Sequence, residues 1–444
     1  MNEMSYRGKW WLPSDSLDDG VAGEFTFAPE DGGELQLIGA FRDFEEMSTV
    51  TEVETIFGIT TEGNRITLKD CSIMLNRIAS SSANMRTERC RAREVFIDGH
   101  FDGNVLLDRV SLSFPLLENW TQYNTVVRPD SDRDMIEILD VDPLVANVDG
   151  TEIKLDVESG GTLNMYRGAD ITQEVFVRIE PEDALSFEKY RDYYIRKLQQ
   201  FFSLGIGEPL NPSRIKGVIE HDNEENQDIE IGYPVSRPTH PGESIHPHDL
   251  NFALGDIDFE EALPTWFENH DAVETLHNLY FATLYHDDMY VRNQFLSLVI
   301  ALESYHRDLY DDYYYMEGDE YSDLVGWLEE EMPDVAAKPR ILDLLRSGMG
   351  NEYSLKDRLE EITADHATVL ESLMDVYTTV RDIRDARHEI AHGDEEERDL
   401  RELYQLSQRM QVIVEVCLLD ALGLDEDHIR EKMQNNHGSY LEQG

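Results

Sequence analysis

Near its C-terminus the chain carries the sequence Arg381-Asp-Ile-Arg384-Asp-Ala-Arg387-His388-Glu389-Ile-Ala-His392-Gly393. This stretch ends a longer segment, 367–392, in which apolar residues recur at helical spacing: Leu370, Leu373, Met374, Tyr377, Ile383, Ala386 and Ile390. The spacing predicts one amphipathic helix, and a glycine directly after the last turn is typical of a helix C-terminus. The quoted stretch is therefore predicted to form the last two turns of a long helix.

The polar side of this predicted helix collects cationic and titratable groups. At about 100° per residue, Arg384, His388 and His392 fall along one side, and Arg387 lies next to Arg384. Arginine stays charged and matches phosphate with a two-pronged donor fork, while histidine changes protonation near neutral pH. The combination suits phosphoryl chemistry without a metal. Cations in the last turn also favour the helix dipole, so a structural role is the alternative interpretation.

A second chemistry fits the same residues. His388-Glu389-Ile-Ala-His392 matches the pattern H-E-x-x-H, in which two histidines of a helix bind zinc and the glutamate acts as general base. Arg387 would add a positive charge beside the metal, and Gly393 would end the helix at the second ligand. We therefore expect no metal or other cofactor, with a zinc-dependent metallopeptidase as the alternative.

Composition limits the classes of function. The 444 residues include 92 Asp and Glu against 38 Lys and Arg, so the net charge is −54. The acids are spread from end to end, which is typical of a solvated surface and resembles proteins of salt-loving archaea. A basic groove is absent, so any RNA must be held by local arginine contacts, stacking and hydrogen bonds. No apolar tract is long enough to span a bilayer and no secretory signal is evident, which predicts a soluble cytoplasmic protein without membrane contact.

The first part of the chain has the pattern of an antiparallel β domain. Segments 24–27 and 34–38 predict one hairpin, and segments 55–57 and 65–68 predict another. Further short strands are predicted at 94–97, 110–114, 152–157 and 174–179. Their spacing favours an antiparallel sandwich or barrel. Trp10 and Trp11 are expected to be buried anchors rather than a stacking platform.

Helical spacing begins at residue 186 and dominates from residue 264 to the end, which predicts a C-terminal helical bundle. Between these positions lie a polar stretch and a Pro/His-rich stretch, both expected to be loops. A metal site is an alternative for the three histidines of the Pro/His-rich stretch, His240, His246 and His248. The cysteines, Cys71, Cys90 and Cys417, are scattered along the chain, which argues against a disulfide framework or a thiolate metal site. The predicted domains are 1–182, β-rich; 183–263, a helix plus a connecting region; 264–435, the bundle; and 436–444, a tail.

Two groups of motifs resemble ApeA-type abortive-infection proteins. The N-terminal group is Gly8-Lys-Trp-Trp-Leu-Pro13, Gly23-Glu-Phe-Thr-Phe27, Leu35-Gln-Leu-Ile-Gly39 and Phe114-Pro-Leu-Leu-Glu-Asn-Trp120. The C-terminal group pairs Ala301-Leu-Glu-Ser-Tyr-His-Arg307 with Arg387-His-Glu-Ile-Ala-His392, which is similar to the R-x4-6-H signature of HEPN ribonucleases. ApeA-like motifs more often have Asn after the arginine, where this chain has His388. The resemblance implies an α+β protein, with an N-terminal antiparallel β-sandwich or barrel-like domain followed by an all-α HEPN bundle.

The resemblance also implies an activity. It implies a metal-independent endoribonuclease of anti-phage defence that acts on host or phage RNA, tRNA included, as a homodimer with facing motif helices. Arg387 would hold the phosphate with Arg384 as a weaker second contact, and His392 and His388 would share acid, base and positioning roles. Glu303 would either pair with Arg307 in its own helix or orient Arg387 or Arg384 across the bundle. The β domain would be a sensor for an unknown phage trigger, and a non-catalytic RNA-binding or dimerisation module is a further alternative.

Overall fold

The computed structural model describes residues 3–41, 50–76, 87–127, 137–164, 168–221, 225–235, 245–286, 288–311, 314–347, 350–392 and 399–441. It divides the chain into two compact units, Met1–Phe267 and Glu268–Gly444. The division falls close to residue 264, where the sequence predicts the helical bundle to begin.

The first unit contains the large sheet of the protein. Its strands are β1 Met4–Trp11, β2 Val21–Ala28, β3 Gly32–Leu37, β4 Thr51–Thr60, β5 Arg65–Asn76, β6 Thr87–Ile97, β7 Leu106–Leu107, β8 Arg109–Ser113, β9 Val126–Val127, β10 Glu137–Ile138, β11 Leu144–Val148, β12 Thr151–Asn164, β13 Gly168–Glu180, β14 Leu185–Ser186, β15 Arg214–Ile219 and β16 Gln227–Gly232. Its helices are α1 Leu117–Thr121, α2 Phe187–Lys189 and α3 Arg196–Ile206, and α4 Phe259–Ala272 spans the division between the units.

Six strands close into an antiparallel barrel. They pair in the order β6-β3-β2-β1-β4-β5, and β5 pairs in turn with β6, which closes the ring. Alternate side chains of these strands fill the interior, where Trp10 and Phe25 are fully buried. The Trp10 ring lies against the backbone of β4 at Gly58, where an added Cβ would come within 2.3 Å of it. The predicted hairpins and the buried role of Trp10 are confirmed.

A second set of strands extends from the barrel. β16 pairs with β6, and the sheet continues in the order β16-β15-β8-β13-β12-β11. β15 and β16 lie in 183–263, where the sequence predicted only a helix and a connecting region. Their core-facing residues Ile215, Ile229 and Ile231 are buried at alternate positions. The charged residues between them hid this alternation, so the expected polar loop includes part of a strand.

The helix predicted from residue 186 packs as expected. It consists of α2, a π-helical turn at Tyr190–Ile195 and α3 in direct succession. The predicted apolar stripe of this helix is buried: Tyr190, Tyr194, Leu198, Phe201 and Phe202. In the Pro/His-rich stretch, His240 lies outside the described residues, whereas His246 and His248 are exposed and stack on each other with ring centroids 5.0 Å apart.

The second unit is helical, and the one β pairing among its described residues is the isolated bridge between Tyr314 and Glu352. Its helices are α5 Glu274–Tyr285, α6 Val291–Leu309, α7 Gly318–Glu331, α8 Lys338–Arg346, α9 Leu355–Asp365, α10 Ala367–Leu370, α11 Val376–His392, α12 Leu400–Ala421 and α13 Glu426–Leu441. α6 packs on α5, α9 and α12, and α11 packs on α9, α12 and α6. α13 continues to Leu441, so it includes most of the segment expected to be a tail. Among the helices described, none is both long and apolar enough to cross a bilayer.

The predicted single helix over 367–392 is two helices. A turn separates α10 from α11, and the Asp375 carboxylate accepts bonds of 2.9 Å from the backbone N–H and the hydroxyl of Thr378. Such a carboxylate starts a new helix by satisfying an orphan donor of its first turn. Tyr377, assigned to the apolar stripe, is instead 69% exposed. Gly393, the expected helix stop, lies outside the described residues.

Candidate functional site

The buried side of α11 fixes which of its residues face solvent. Val380, Ile383 and Ala386 recur every third position and are at most 1% exposed. Because this stripe faces the bundle, the arginines and His388 on the other side of the helix are exposed. Arg381, Arg384, Arg387 and His388 therefore form an exposed polar face on α11, and the side chain of His392, the remaining predicted member, lies outside the described residues.

Two of the three arginines on this face are held by the aspartate that follows each of them. Arg384 donates to Asp385 through Nε at 2.8 Å and Nη2 at 2.6 Å. Arg381 contacts Asp382 in the same way, with Nη2 at 3.1 Å from the carboxylate. Pairs as exposed as these contribute at most about 1 kcal/mol to stability. Their effect is to hold both guanidinium groups close to the helix surface and to offset their charge.

Arg387 differs from its two neighbours. It is followed by His388 rather than by an aspartate, and its side chain is exposed. Within the described part of the chain, Arg387 forms no hydrogen bond and no ion pair. Its fork of donors is therefore available to an anionic ligand.

The second member of the predicted pair, His392, is the last residue of α11. Five residues of helix separate its backbone from that of Arg387 by about 7.5 Å along the axis. The side chain of His392 lies outside the described residues, so its approach to Arg387 stays a prediction. His388 is exposed and Glu389 is half-buried.

The zinc alternative needs His388 and His392 together with a further ligand. Among residues with described side chains, no group of three or more His, Cys, Asp or Glu is arranged to hold a metal ion. His392 is not one of those residues, so the H-E-x-x-H pattern remains a hypothesis.

Glu303 lies on α6, which packs against α11. It is half-buried, and no hydrogen bond or ion pair joins it to Arg307, Arg384 or Arg387 in the described structure. Neither predicted role for this carboxylate corresponds to a contact.

A buried histidine next to Glu303 was not predicted. His306 is 0% exposed, and its Nε2 lies 2.8 Å from a carboxylate oxygen of Glu361. Its Nδ1 lies 3.2 Å from a guanidinium nitrogen of Arg358, itself 2% exposed. Arginine can only donate, so Nδ1 accepts and a neutral imidazole donates to Glu361 through Nε2. Burial lowers the pKa of His306; Glu361 acts in the opposite direction, and the Arg358 charge lowers it further.

The contacts of His306 with Arg358 and Glu361 connect α6 with α9, and α9 packs on α11. The His306 ring also stacks on Tyr310, with centroids 4.4 Å apart and planes 3° from parallel. The sequence did contain a signal, because His306 follows Leu302 by one helical turn and so falls on the core stripe of α6. A polar residue on an apolar stripe must be buried with hydrogen-bond partners, and the partners of His306 lie on a different helix.

A buried carboxylate lies between α5, α12 and α13. Glu415 is 7% exposed and accepts hydrogen bonds of 2.8 Å from Tyr280 Oη and from His437 Nε2. Burial lowers the pKa of His437, but the charge of Glu415 and their hydrogen bond outweigh it, so the pKa is raised. The pKa values of His306 and His437 are therefore shifted in opposite directions.

Fold and site together define an α+β protein with a barrel-containing unit and a helical unit that exposes an Arg/His motif. The family model described as ApeA N-terminal domain 1 matches residues 5–266, more than half of the chain, and the model described as Apea-like HEPN matches residues 296–428. The chain therefore belongs to the ApeA family, and its helical unit contains an ApeA-like HEPN domain. The suspected resemblance is confirmed on both halves. Comparison with curated proteins and with solved structures gives no match.

Proposed function

We propose that this protein is a metal-independent HEPN endoribonuclease of anti-phage defence that cleaves host or phage RNA. The observation that carries the proposal is the state of Arg387. In a protein of net charge −54, it is exposed on α11 without a carboxylate partner among the described residues, while Arg381 and Arg384 are held by aspartates. The match of the chain to the Apea-like HEPN model supports the same activity. The position of Arg387 in the motif Arg387-x4-His392 supports it as well.

The proposed reaction is attack of an RNA 2′-hydroxyl on the adjacent phosphorus. The 2′-oxygen forms a bond to phosphorus, the bond to the 5′-oxygen breaks, and the products are a 2′,3′-cyclic phosphate and a 5′-hydroxyl. The 2′-hydroxyl needs a base and the leaving oxygen needs a proton. His392 takes one of these roles and His388 the complementary or positioning role. Arg387 binds the phosphate and stabilises the charge that develops on it, with Arg384 as a weaker contact.

A single helix offers few groups to grip RNA, and we propose that two copies of the chain pair through the HEPN domain. Large apolar side chains are exposed on this helix and on the next one: Tyr377 is 69% exposed, Leu400 55% and Tyr404 45%. Tyr377 lies on the same side of α11 as Arg384 and His388, since it precedes them by seven and eleven residues. A second copy covering these residues would place two motifs in one cleft.

The remaining parts of the proposal follow from the family. The barrel-containing unit would respond to a phage trigger, and the RNA cleaved, tRNA included, would stop the infection. The acidic surface favours activity at high salt, because molar salt shortens the Debye length to about 3 Å and screens the repulsion between the acidic side chains.

The test is RNA cleavage in molar KCl with and without EDTA, for wild type, Arg387→Ala and Glu389→Gln. The ribonuclease cleaves in EDTA, loses activity with Arg387→Ala and retains it with Glu389→Gln. A zinc peptidase would show the reverse pattern and would hydrolyse a protein substrate. RNA binding without cleavage, at any salt concentration and with the trigger supplied by infected-cell extract, would contradict the proposal.

A further inference from the structure

Two helices of the second unit bury very few of their apolar side chains. α7 and α8 follow each other in the chain and pack on each other, and we call them the α7–α8 hairpin. Each helix has a single buried residue, Val325 on α7 and Leu342 on α8, whereas α6 buries seven of its nineteen residues. Large apolar side chains of the hairpin are therefore exposed to solvent: Leu324, Trp327, Ile341 and Leu344.

The four exposed apolar residues lie on one side of the hairpin. The side chains that face the neighbouring helix are among the least exposed: Val325 and Leu328 on α7, and Leu342 and Leu345 on α8. Glu329 and Arg346 each come one position after a facing residue, and they form an ion pair, which marks one side of the hairpin. Each exposed apolar residue comes one position before a facing residue. One position is a rotation of about 100°, so the apolar residues lie on the side opposite to the ion pair.

A surface of this kind is unusual for a free helix pair. Trp327 and Leu344 are each 59% exposed, and adjoining apolar side chains that remain in solvent mark interaction surfaces. Tryptophan is also enriched among the residues that contribute most to binding at protein interfaces. If a second helical hairpin covered this side, four helices would enclose one apolar core, as in a four-helix bundle.

The charges of the two helices indicate which partner fits. α7 has six acidic residues and no basic one, whereas α8 has three basic residues and one acidic residue. A basic helix of another protein would be attracted by α7 and repelled by α8, and an acidic helix would show the reverse. A second copy of the hairpin matches both helices at once when α7 of each copy lies on α8 of the other.

We propose that the α7–α8 hairpin is a self-association surface that binds the same surface of a second copy of this chain, with α7 of each copy against α8 of the other. The hairpin is separate from Tyr377, Leu400 and Tyr404, the residues of the pairing in the proposed ribonuclease. The inference therefore goes beyond the proposed function, and the two surfaces together would join more than two copies.

The test is analytical ultracentrifugation of the full chain in molar KCl, for wild type and for the double variant Trp327→Glu, Leu344→Glu. The variant should raise the dissociation constant of the hairpin contact at least roughly tenfold, because association would bury charges in its apolar centre. Its circular dichroism and urea unfolding midpoint should match wild type, since both side chains are exposed. The control Ile38→Glu makes the same change at an exposed residue of the first unit and should sediment as wild type does.

The variant Tyr377→Glu distinguishes the hairpin contact from the pairing in the proposed ribonuclease. It should separate copies that are joined through α11 and leave the hairpin contact intact. A wild-type dimer that the hairpin variant dissociates and Tyr377→Glu does not would show that the ribonuclease pairing alone is wrong. Identical sedimentation of wild type and the hairpin variant would overturn the hairpin proposal and leave the proposed function unchanged.

Disulfide crosslinking tests the pairing of α7 with α8. Leu324→Cys and Leu344→Cys each add one exposed thiol to a chain whose three native cysteines are buried. Mild oxidation of the mixed variants should give a disulfide-linked heterodimer, and oxidation of either variant alone should give much less crosslinked product. Crosslinking of each variant with itself but not in the mixture would overturn the proposed pairing.

A partner of another kind gives a different result. A basic amphipathic model peptide should bind wild type no more tightly than it binds the variant Trp327→Glu, Leu344→Glu. Saturable binding of this peptide that the variant loses, by a wild type that does not self-associate, would overturn the proposal and assign the surface to another protein.

Discussion

The helical unit contains two groups of arginine and histidine that differ in their surroundings. On α11, Arg387 and His388 face solvent, and Arg387 has no carboxylate partner in the described structure. Between α6 and α9, His306 and Arg358 are at most 2% exposed and bind each other, with Glu361 as a third member. The same residue types are thus a candidate site in one place and part of the core in the other.

The difference lies in burial and partners rather than in residue identity. A buried guanidinium loses its hydration, so hydrogen bonds and nearby charges must replace the lost water contacts. Removing one partner leaves a buried polar group without a hydrogen bond, which lowers stability. An exposed guanidinium contributes little to stability and keeps its donors for a ligand. Loss of the exposed group should therefore change activity, and loss of the buried group should change folding.

The largest expected effect is on cleavage by Arg387→Ala. Removing the group that stabilises charge on the transferred phosphate should lower the cleavage rate about 10²–10³-fold. Its free energy of unfolding should stay within about 0.5 kcal/mol of wild type. Single-turnover cleavage and denaturant unfolding measure the two quantities.

Arg381→Ala is the matched control for this variant, because Arg381 is an exposed arginine of the same helix and is held by Asp382. It should cleave RNA at nearly the wild-type rate. Equal losses for Arg381→Ala and Arg387→Ala would mean that the helix contributes only general positive charge, which contradicts the assigned role of Arg387.

The second effect is on stability. Arg358→Ala leaves Nδ1 of the buried, neutral His306 without its hydrogen-bond donor, which should cost about 1–3 kcal/mol of unfolding free energy. Arg307→Ala, an exposed arginine next to His306 on α6, should cost less than about 0.5 kcal/mol. Urea unfolding in molar KCl would show both. A stable Arg358→Ala variant would show that the cluster is not a core element.

The third effect is a pH dependence of opposite sign for the buried His306 and for His437, whose side chain is 28% exposed. The lowered pKa of His306 means that its contribution is fully present above about pH 6.5 and is lost as pH falls through the folded value. The raised pKa of His437 means that its contribution is present below about pH 6.5 and is lost as pH rises through the folded value. Each proton changes stability by at most about 1.4 kcal/mol per pH unit.

On moving from slightly alkaline to slightly acidic pH, His306→Gln should therefore lose less stability than wild type, and His437→Gln should lose more. Unfolding free energies of the three proteins at the two pH values give the differences directly. If both variants shift in the same direction, the opposite signs assigned to the two pKa shifts are incorrect.

The smallest effect is expected for Glu303→Gln. Glu303 forms no ion pair with Arg307, Arg384 or Arg387 in the described structure, so the variant should change unfolding free energy by less than about 0.5 kcal/mol. Its cleavage rate should stay close to wild type. A loss of cleavage comparable to that of Arg387→Ala would restore Glu303 as a group that orients the motif arginine in the assembled cleft.

These comparisons also show what sequence patterns can reveal. Alternation in the first unit and helical spacing in the second predict the two folds, because both patterns report which side chains must be buried. The closure of the barrel and the joining of β15 and β16 to the same sheet depend on pairings between strands distant in sequence, which no local pattern contains. The break at Asp375 was missed because apolar spacing continues through a turn, although an aspartate before Thr378 is a helix-start signal.

In the candidate site, too, some features could be predicted from residue spacing and others could not. The exposed side of α11 follows from spacing alone, so the placement of Arg384, Arg387 and His388 could be predicted. The pairing of Arg381 and Arg384 with adjacent aspartates depends on side-chain rotamers, and the burial of His306 with Arg358 depends on the packing of α6 against α9. Neither the Arg–Asp pairing nor the burial of His306 can be predicted from residue spacing within one helix.

The most direct test of the account uses an RNA that wild type cleaves, and the same RNA with a single 2′-deoxynucleotide at the cleavage site, both in molar KCl with EDTA. The account predicts cleavage of the first RNA with a 2′,3′-cyclic phosphate end, and no cleavage of the second at that position. Cleavage of the deoxy-substituted bond, or activity that EDTA abolishes and zinc restores, would contradict it.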